Sequence, residues 1–154
     1  MANSATSTTT TSDRSDRSNR NAPLLYWTKN LFIGNALIDA DHRRIFDLTN
    51  RLRADLIEQP EYSIVGELLV ELIEHTGEHF MREEALMKAI RYPSYELHKL
   101  EHTALMHTVN DLHRRYMEGK DDVAAEVSDF LHKGLVPHIL HADMALGRSM
   151  RSAR

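Results

Sequence analysis

The sequence predicts an all-α protein: an antiparallel up-down four-helix bundle with an N-terminal arm and a disordered N-terminal tail. The chain of 154 residues contains only 6 Gly and 4 Pro, which favours long helices over a fold of strands and turns. Four long stretches carry apolar residues at steps of three and four, which is the spacing of one helix face. The connections between these stretches are short, so consecutive helices are expected to run antiparallel.

The chain divides near residue 22 into a tail and a folded domain. Residues 4–12 are all Ser or Thr except Ala5, and such a composition cannot bury enough apolar surface to order itself. We therefore expect a disordered Ser/Thr-rich tail over 1–22 and a four-helix bundle over 23–150. Residues 23–40 read as an extended arm that packs across the helices through apolar anchors such as Trp27, and that ends at Asp39 as a helix N-cap.

The four helices follow the arm, and their ends are marked by Pro and Gly. The first is expected from about Ala40 to Glu58, the second from about Ser63 to Ile90, the third from Ser94 to Glu118, and the fourth from near Asp121 to about Gly147. The first two end before Pro60 and Pro93, and Gly119 follows the third.

Composition excludes several classes of function. The absence of Cys excludes disulfides, zinc–thiolate sites, iron–sulfur clusters and a Cys nucleophile. No apolar run approaches the roughly 20 residues of a membrane span, and a net charge of −4 argues against binding to duplex DNA. We expect a cytoplasmic monomer or weak homo-oligomer without nucleic-acid or membrane partners, whose tail is a candidate contact for a protein partner.

Polar side chains interrupt the apolar face of each predicted helix. A single buried His is usually a hydrogen-bonded core residue. Five His and two carboxylates on inner faces would together lose much hydration free energy on burial, and a bound metal offsets that loss at one place. Imidazole and carboxylate without thiolate suit Fe, with Mn, Zn or Cu(II) as competitors, and two bridged metals fit seven ligands better than one. The set is His42, His79, Glu83, His98, His102, His138 and Asp143.

Around these residues the sequence carries four spaced motifs and an arm. The motifs are Ile38-Asp39-x-Asp41-His42, His79-Phe80-x-x-Glu83-Glu84-x-x-Met87, Tyr92-Pro93 with His98-x-x-x-His102, and His138-Ile139-x-x-x-x-Asp143; the arm has Trp27 followed by Gly34. In order, spacing and helix assignment, the chain over about 24–147 resembles the hemerythrin family, most closely its bacterial single-domain members, the bacteriohemerythrins.

The resemblance implies a non-haem di-iron site, Fe2+/Fe3+, with an oxo or hydroxo bridge. It assigns three His to one iron, two His to the other, and both carboxylates to bridging positions, which leaves the second iron one ligand short for O2. The assignments are His98, His102 and His138; His42 and His79; and Glu83 and Asp143.

The function implied is reversible O2 binding, as carrier, store or local supply, in a protein that is not an enzyme beyond weak redox activity. The alternatives at the same site are O2 or nitric oxide sensing, for which no output domain is visible, and redox activity on peroxide, nitric oxide or damaged iron centres. A plain helical interaction module would leave seven core-facing polar groups unexplained.

Several positions depart from the simplest pattern. The five-residue step from His138 to Asp143 is roughly 140° off-face in an ideal α-helix, and a local widening of the helix, helped by Pro137, would correct it. His141 is a competing ligand that we expect to be partly exposed instead. His75 is either a partner of a ligand or a solvated residue.

Other residues near the motifs are open to a structural interpretation. Gly134 stands where the family has Trp, which predicts looser packing beside the site. Glu84 is expected to be exposed or to pair locally. The residues after His102 would line an O2 pocket or simply fill the core; they are Leu105, Met106 and Val109. The His residues expected on the surface are His107, His113 and His132.

Overall fold

The computed structural model describes residues 24–58, 62–120 and 123–152, and within these ranges all regular structure is helical. The predicted tail over 1–22 lies outside the described residues, as do Pro60 and Asp121. A short 3-10 helix, Lys29–Leu31, precedes α1 (Ala36–Glu58), α2 (Tyr62–Ala89) and α3 (Tyr95–Met117). The fourth helical element, α4, covers 123–152 in five consecutive segments. None of the described helices combines the length and apolarity needed to cross a membrane.

Contacts between the helices follow the chain order. α1 packs on α2, α2 on α3, and α3 on the first half of α4, while the start of α4 also contacts α1. This closes an antiparallel up-down bundle and confirms the predicted fold class. The end of α2, the start of α3, the start of α1 and the end of α4 therefore meet at one end of the molecule.

The start of α1 differs from the prediction. Asn35, not Asp39, is the N-cap, because its Oδ1 accepts the N–H groups of Leu37 and Ile38 at 3.1 and 3.2 Å. The two oxygens of Asp39 instead accept the N–H groups of Ile33 and Gly34, at 2.7 and 3.2 Å. Gly34 has a φ of +96°, a conformation that favours glycine. Asp39 thus ties the arm to the first turn of α1, and the helix begins four residues earlier.

The helix α4 is widened in two places, as predicted for the region between His138 and Asp143. Its segments are α over Val123–Asp129, π over Phe130–Leu135, α over Val136–His138, π over Ile139–Asp143 and α over Met144–Ser152. The Val136 N–H bonds to the Leu131 carbonyl and the Met144 N–H to the Ile139 carbonyl, each five residues back. Pro137, which has no N–H, lies between the two π segments.

The apolar core consists of two clusters separated by polar side chains. The larger lies on one side of these polar side chains and includes Ile45, Phe80 and Ile139, whereas the smaller lies on the other side and consists of Ile33, Ile38, Met87 and Leu146. On α1, α2 and α4 a buried His or carboxylate lies between a member of one cluster and a member of the other. These polar residues are His42, Glu83 and Asp143.

The arm packs across α1, as expected. The Leu25 N–H donates to Asn50 Oδ1 at 2.9 Å, and Asn50 Nδ2 donates to the Leu25 carbonyl at 2.8 Å. The Trp27 ring lies 5.4 Å from that of Phe46, edge-on, and 5.6 Å from that of His42. The arm therefore covers the side of the bundle on which His42 lies.

Candidate metal centre

All seven residues predicted from the sequence lie together and are buried. Each comes from the part of its helix that the antiparallel topology brings to the same level: the start of α1 and α3, and the end of α2 and α4. Four of the side chains are 0% exposed and the other three are at most 5% exposed. The four fully buried residues are His42, His79, Glu83 and Asp143.

The side chains form two groups that share both carboxylates. In the three-histidine group, ligand atoms of His98, His102 and His138 lie with those of Glu83 and Asp143, all within 4.8 Å of one another. In the two-histidine group, ligand atoms of His42 and His79 lie with those of the same two carboxylates, again within 4.8 Å. The arrangement therefore offers two adjacent cation positions with two residues in common.

Asp143 faces both groups with different oxygens. Its Oδ1 lies 3.0 Å from His98 Nε2 and 3.1 Å from His138 Nε2. Its Oδ2 lies 2.9 Å from His42 Nε2 and 3.6 Å from His79 Nε2. One carboxylate thus spans the gap between the two positions, and the π turn before it brings it onto the inner face.

Glu83 is oriented toward both groups as well. Its Oε2 lies 3.2 Å from His98 Nε2 and 3.3 Å from His102 Nε2, in the three-histidine group. The same oxygen lies 3.9 Å from His79 Nε2, in the two-histidine group. Glu83 therefore approaches from α2 the same junction that Asp143 approaches from α4.

Several buried polar atoms in this cluster have no hydrogen-bond partner. They include both Glu83 oxygens, Asp143 Oδ1 and four imidazole nitrogens, and native proteins leave few such atoms without an explanation. Coordination to a cation in each of the two groups would satisfy all of these atoms, and imidazole with carboxylate is a donor set that suits iron. The residues present thus fit a pair of metal ions. The nitrogens are the Nε2 atoms of His79, His98, His102 and His138.

Inside the cluster, the opposite charges of imidazoles and carboxylates shift the pKa values more strongly than burial does. Burial lowers the pKa of His79, but the nearby carboxylates of Asp143 and Asp41 raise that pKa to about 9. Burial lowers the pKa of His98 too, and contacts with Asp143 and Glu83 raise it to about 9. Burial raises the pKa of both carboxyls, yet the imidazoles around them lower it, and the pKa of Asp143 falls well below its ordinary value. A metal ion would take the place of the imidazole protons that balance these carboxylates.

Two carboxylates outside the predicted set contact the histidines of the three-histidine group. Glu84 Oε1 lies 3.1 Å from His102 Nδ1, so the expectation that Glu84 is exposed or pairs locally was wrong. Glu101 Oε2 lies 2.8 Å from His138 Nδ1, and sequence reasoning missed this residue. Glu84 directly follows Glu83 in the sequence, and Glu101 directly precedes His102. This adjacency to a predicted ligand is the one sequence feature that could have indicated them. Helix periodicity turns them about 100° from that ligand, so only the packing of neighbouring helices brings them to a ring nitrogen.

His75 contacts a neighbour of a ligand rather than a ligand. Its Nε2 lies 3.8 Å from Asp41 Oδ1, and Asp41 Oδ2 lies 3.7 Å from His79 Nδ1. Arg82 donates to both Asp41 oxygens, at 2.8 and 2.9 Å. Burial raises the pKa of Asp41, but the nearby His79 imidazole and the hydrogen bonds from Arg82 lower it to about 2.

The remaining residues singled out in the sequence lie outside the cluster. His141 and His107 are exposed, whereas His113 and His132 are half-buried rather than on the surface as predicted. At Gly134 a Cβ would meet Leu105 Cδ2 at 3.3 Å and the Phe130 ring at 3.5 Å. These neighbours fill the space beside Gly134, so the expected loosening of the packing is not observed. Val109 belongs to the larger core cluster, against which Leu105 and Met106 pack.

Comparison with known proteins gives a consistent result. The family model described as "Hemerythrin HHE cation binding domain" matches residues 33–148. The chain is 32% identical to the bacteriohemerythrin of Stenotrophomonas maltophilia over 129 residues, which cover 84% of this chain and 83% of the relative. It is 32% identical to that of Pseudomonas aeruginosa (strain LESB58) over 119 residues, with 77% and 76% covered. It is 27% identical to that of Clostridium acetobutylicum over 124 residues, with 78% and 96% covered.

The search of solved structures gave no match. The family model nevertheless spans α1, α2, α3 and nearly all of α4, with all seven clustered residues inside its bounds. The cation-binding description of that model agrees with the two buried groups that share Glu83 and Asp143. The chain therefore belongs to the hemerythrin family.

Proposed function

We propose that this protein binds O2 reversibly at a non-haem di-iron centre bridged by Glu83 and Asp143. The observation that carries the proposal is the pair of buried groups that share these two carboxylates and divide the five imidazoles three to two. The ligands of the first iron would be His98, His102 and His138, and those of the second His42 and His79.

The unequal division of the imidazoles leaves one coordination position for a small ligand. With both carboxylates, the three-histidine group supplies five residues and the two-histidine group four. Iron takes about six ligands, so a shared oxo or hydroxo bridge would complete the first position and leave the second one short. The vacant position would lie on the side of His42 and His79.

The surroundings suit a small neutral ligand better than a larger substrate. His42 and His79 are 0% exposed, and the Trp27 ring of the arm lies beside His42. Phe80 stacks on His102 at 3.8 Å with an angle of 7° between the rings, which holds that imidazole in place. Enclosure of this kind keeps water from the site and protects it from side reactions.

Ligand charge favours binding over oxidation of a substrate. The residues of the two groups would hold the iron, and a ferrous pair there would supply the two electrons that reversible O2 binding needs. Five neutral imidazoles against two carboxylates leave the donor set with little negative charge, so it stabilises high-valent iron poorly. We therefore propose a binding protein rather than an enzyme.

Metal analysis and an optical spectrum on one sample test this function. The reduced, anaerobic protein is expected to contain two irons per chain, to develop visible charge-transfer bands in air, and to lose them when O2 is removed. Absence of iron binding would refute the proposal. Two irons that oxidise rapidly and irreversibly would instead favour sensing or redox activity at the same centre.

A further inference from the structure

The outer ring nitrogens of the clustered histidines have unequal partners. All five imidazoles turn Nε2 toward Glu83 or Asp143, so Nδ1 is the nitrogen on the outer side. In the three-histidine group, His138 Nδ1 donates to Glu101 at 2.8 Å and His102 Nδ1 donates to Glu84 at 3.1 Å. In that group, two of the three rings therefore have a carboxylate hydrogen-bonded to Nδ1, the nitrogen that faces away from Glu83 and Asp143.

The two-histidine group has no comparable hydrogen bond. Asp41 Oδ2 lies 3.7 Å from His79 Nδ1, beyond hydrogen-bond distance, and both Asp41 oxygens accept from Arg82. His42 Nδ1 is buried and has no hydrogen-bond partner. The carboxylate nearest the outer nitrogen of His79, that of Asp41, is thus already paired with a guanidinium.

A carboxylate behind a ligating His fixes the ring orientation and raises the basicity of the nitrogen that faces the metal. We propose that Glu84 and Glu101 are positioning residues that make the three-histidine group the tighter of two iron positions, so that iron leaves the two-histidine group first. This inference rests on the proposed di-iron function. It assigns to the two acids a role in metal retention that is separate from ligation.

Both acids are accessible to substitution without opening the core. The Glu84 side chain is 23% exposed and that of Glu101 is 57% exposed. Replacement of each by Gln keeps its size and removes its charge. Glu74 and Glu96 lie exposed on the same two helices and supply a matched pair of control positions.

The test is the release of Fe2+ from the anaerobically loaded protein into an excess of a ferrous chelator, followed by absorbance. The unmodified protein is expected to release two irons in two phases of equal amplitude. The double variant Glu84→Gln with Glu101→Gln is expected to release its slow iron at least about 10-fold faster, with the fast phase unchanged. The control Glu74→Gln with Glu96→Gln is expected to retain both rates.

The outcomes separate this inference from the proposed function. Fewer than two irons in the unmodified protein would refute the di-iron function, and this inference with it. Two irons released in a single phase, or a slow phase that the double variant leaves unchanged, would overturn the inference alone. A purely structural role would lower the melting temperature of the metal-free double variant and accelerate both phases together, which would also contradict it.

Discussion

Glu83 and Asp143 are the residues whose burial is hardest to explain without a cation. Each is 0% exposed, and an ionised carboxylate in such surroundings costs several kcal/mol unless charges or hydrogen bonds compensate it. The imidazole nitrogens around them lie between 2.9 and 3.9 Å away and come from all four helices. Each carboxylate therefore faces both groups of the site, and removal of either would damage both of the proposed metal positions.

Replacement of Glu83 by Ala is accordingly expected to reduce the iron content from two per chain to one or none. The change removes a ligand that the two groups share. His102→Ala removes a ligand of the three-histidine group alone and is likewise expected to cost at least one iron. Metal analysis of the purified variants measures the effect. Glu78→Ala and His107→Ala, at exposed positions on the same helices, are expected to keep two irons. Retention of two irons by Glu83→Ala or by His102→Ala would count against the proposed ligand set.

At the level of the elements, the shape of α4 and the position of the arm decide how the site is closed. The π segment over Ile139–Asp143 turns Asp143 onto the face of His138, which a regular α-helix would not do. Nine residues further along α4 than His138, Gly147 lies against Ile33 of the arm. Ile33 is 0% exposed and belongs to the smaller core cluster. The arm and the last turns of α4 therefore seal the end of the bundle next to the site.

Replacement of Gly147 by Ala is expected to lower the free energy of unfolding by about 1–3 kcal/mol. The added Cβ would lie 2.8 Å from Ile33 Cα and 3.1 Å from the Ile33 carbonyl oxygen, both backbone atoms that cannot yield locally. Denaturant unfolding of the metal-free protein measures the change. Gly134→Ala is the matched comparison, because its Cβ meets the movable end of Leu105 at 3.3 Å. Equal stability of the two variants would contradict this account of the arm.

At the level of the whole molecule, the polar site separates the larger apolar cluster from the smaller one. On α1, α2 and α4 the two clusters lie on opposite sides of the polar residues. The arm contacts both, because Ile33 belongs to the smaller cluster and Trp27 packs against the larger one. The clustered His and carboxylate side chains come from all four helices and join the two parts of the core. Binding of metal at the proposed centre would therefore be linked to the stability of the entire bundle.

Removal of iron is expected to lower the melting temperature. A ligand present at 100 times its Kd stabilises the folded state by about 2.7 kcal/mol, and each kcal/mol corresponds to about 2–4 °C in a domain of this size. Thermal unfolding with and without a ferrous chelator measures the shift. The Glu83→Ala variant is the control, since a chain that has lost iron should respond less to the chelator. An identical melting temperature for the loaded and the metal-free protein would show that metal does not contribute to folding.

The sequence by itself determined the helical fold, the order of the helices and the seven residues that meet in the core. For six of the seven it could do so because a helix face repeats every 3.6 residues, so a His or carboxylate placed on an apolar stripe points inward. Asp143 lies off that stripe, and the spacing of the motif that resembles the hemerythrin family selected it. Even the distortion of α4 was predictable, because the step from His138 to Asp143 does not fit a regular helix. The assignment of these residues to iron remains a prediction.

Only the tertiary structure decided what lies at the edges of the helix faces. Asn35 rather than Asp39 caps α1, because the conformation of Gly34 turns the arm back onto the Asp39 carboxylate. Glu84 and Glu101 reach ring nitrogens on other helices, although their own helices turn them off the inner stripe. The spacing of apolar residues along one helix indicates which side of that helix faces the core. Which edge residues of two helices touch depends on how the helices pack, and no single-helix pattern contains that information.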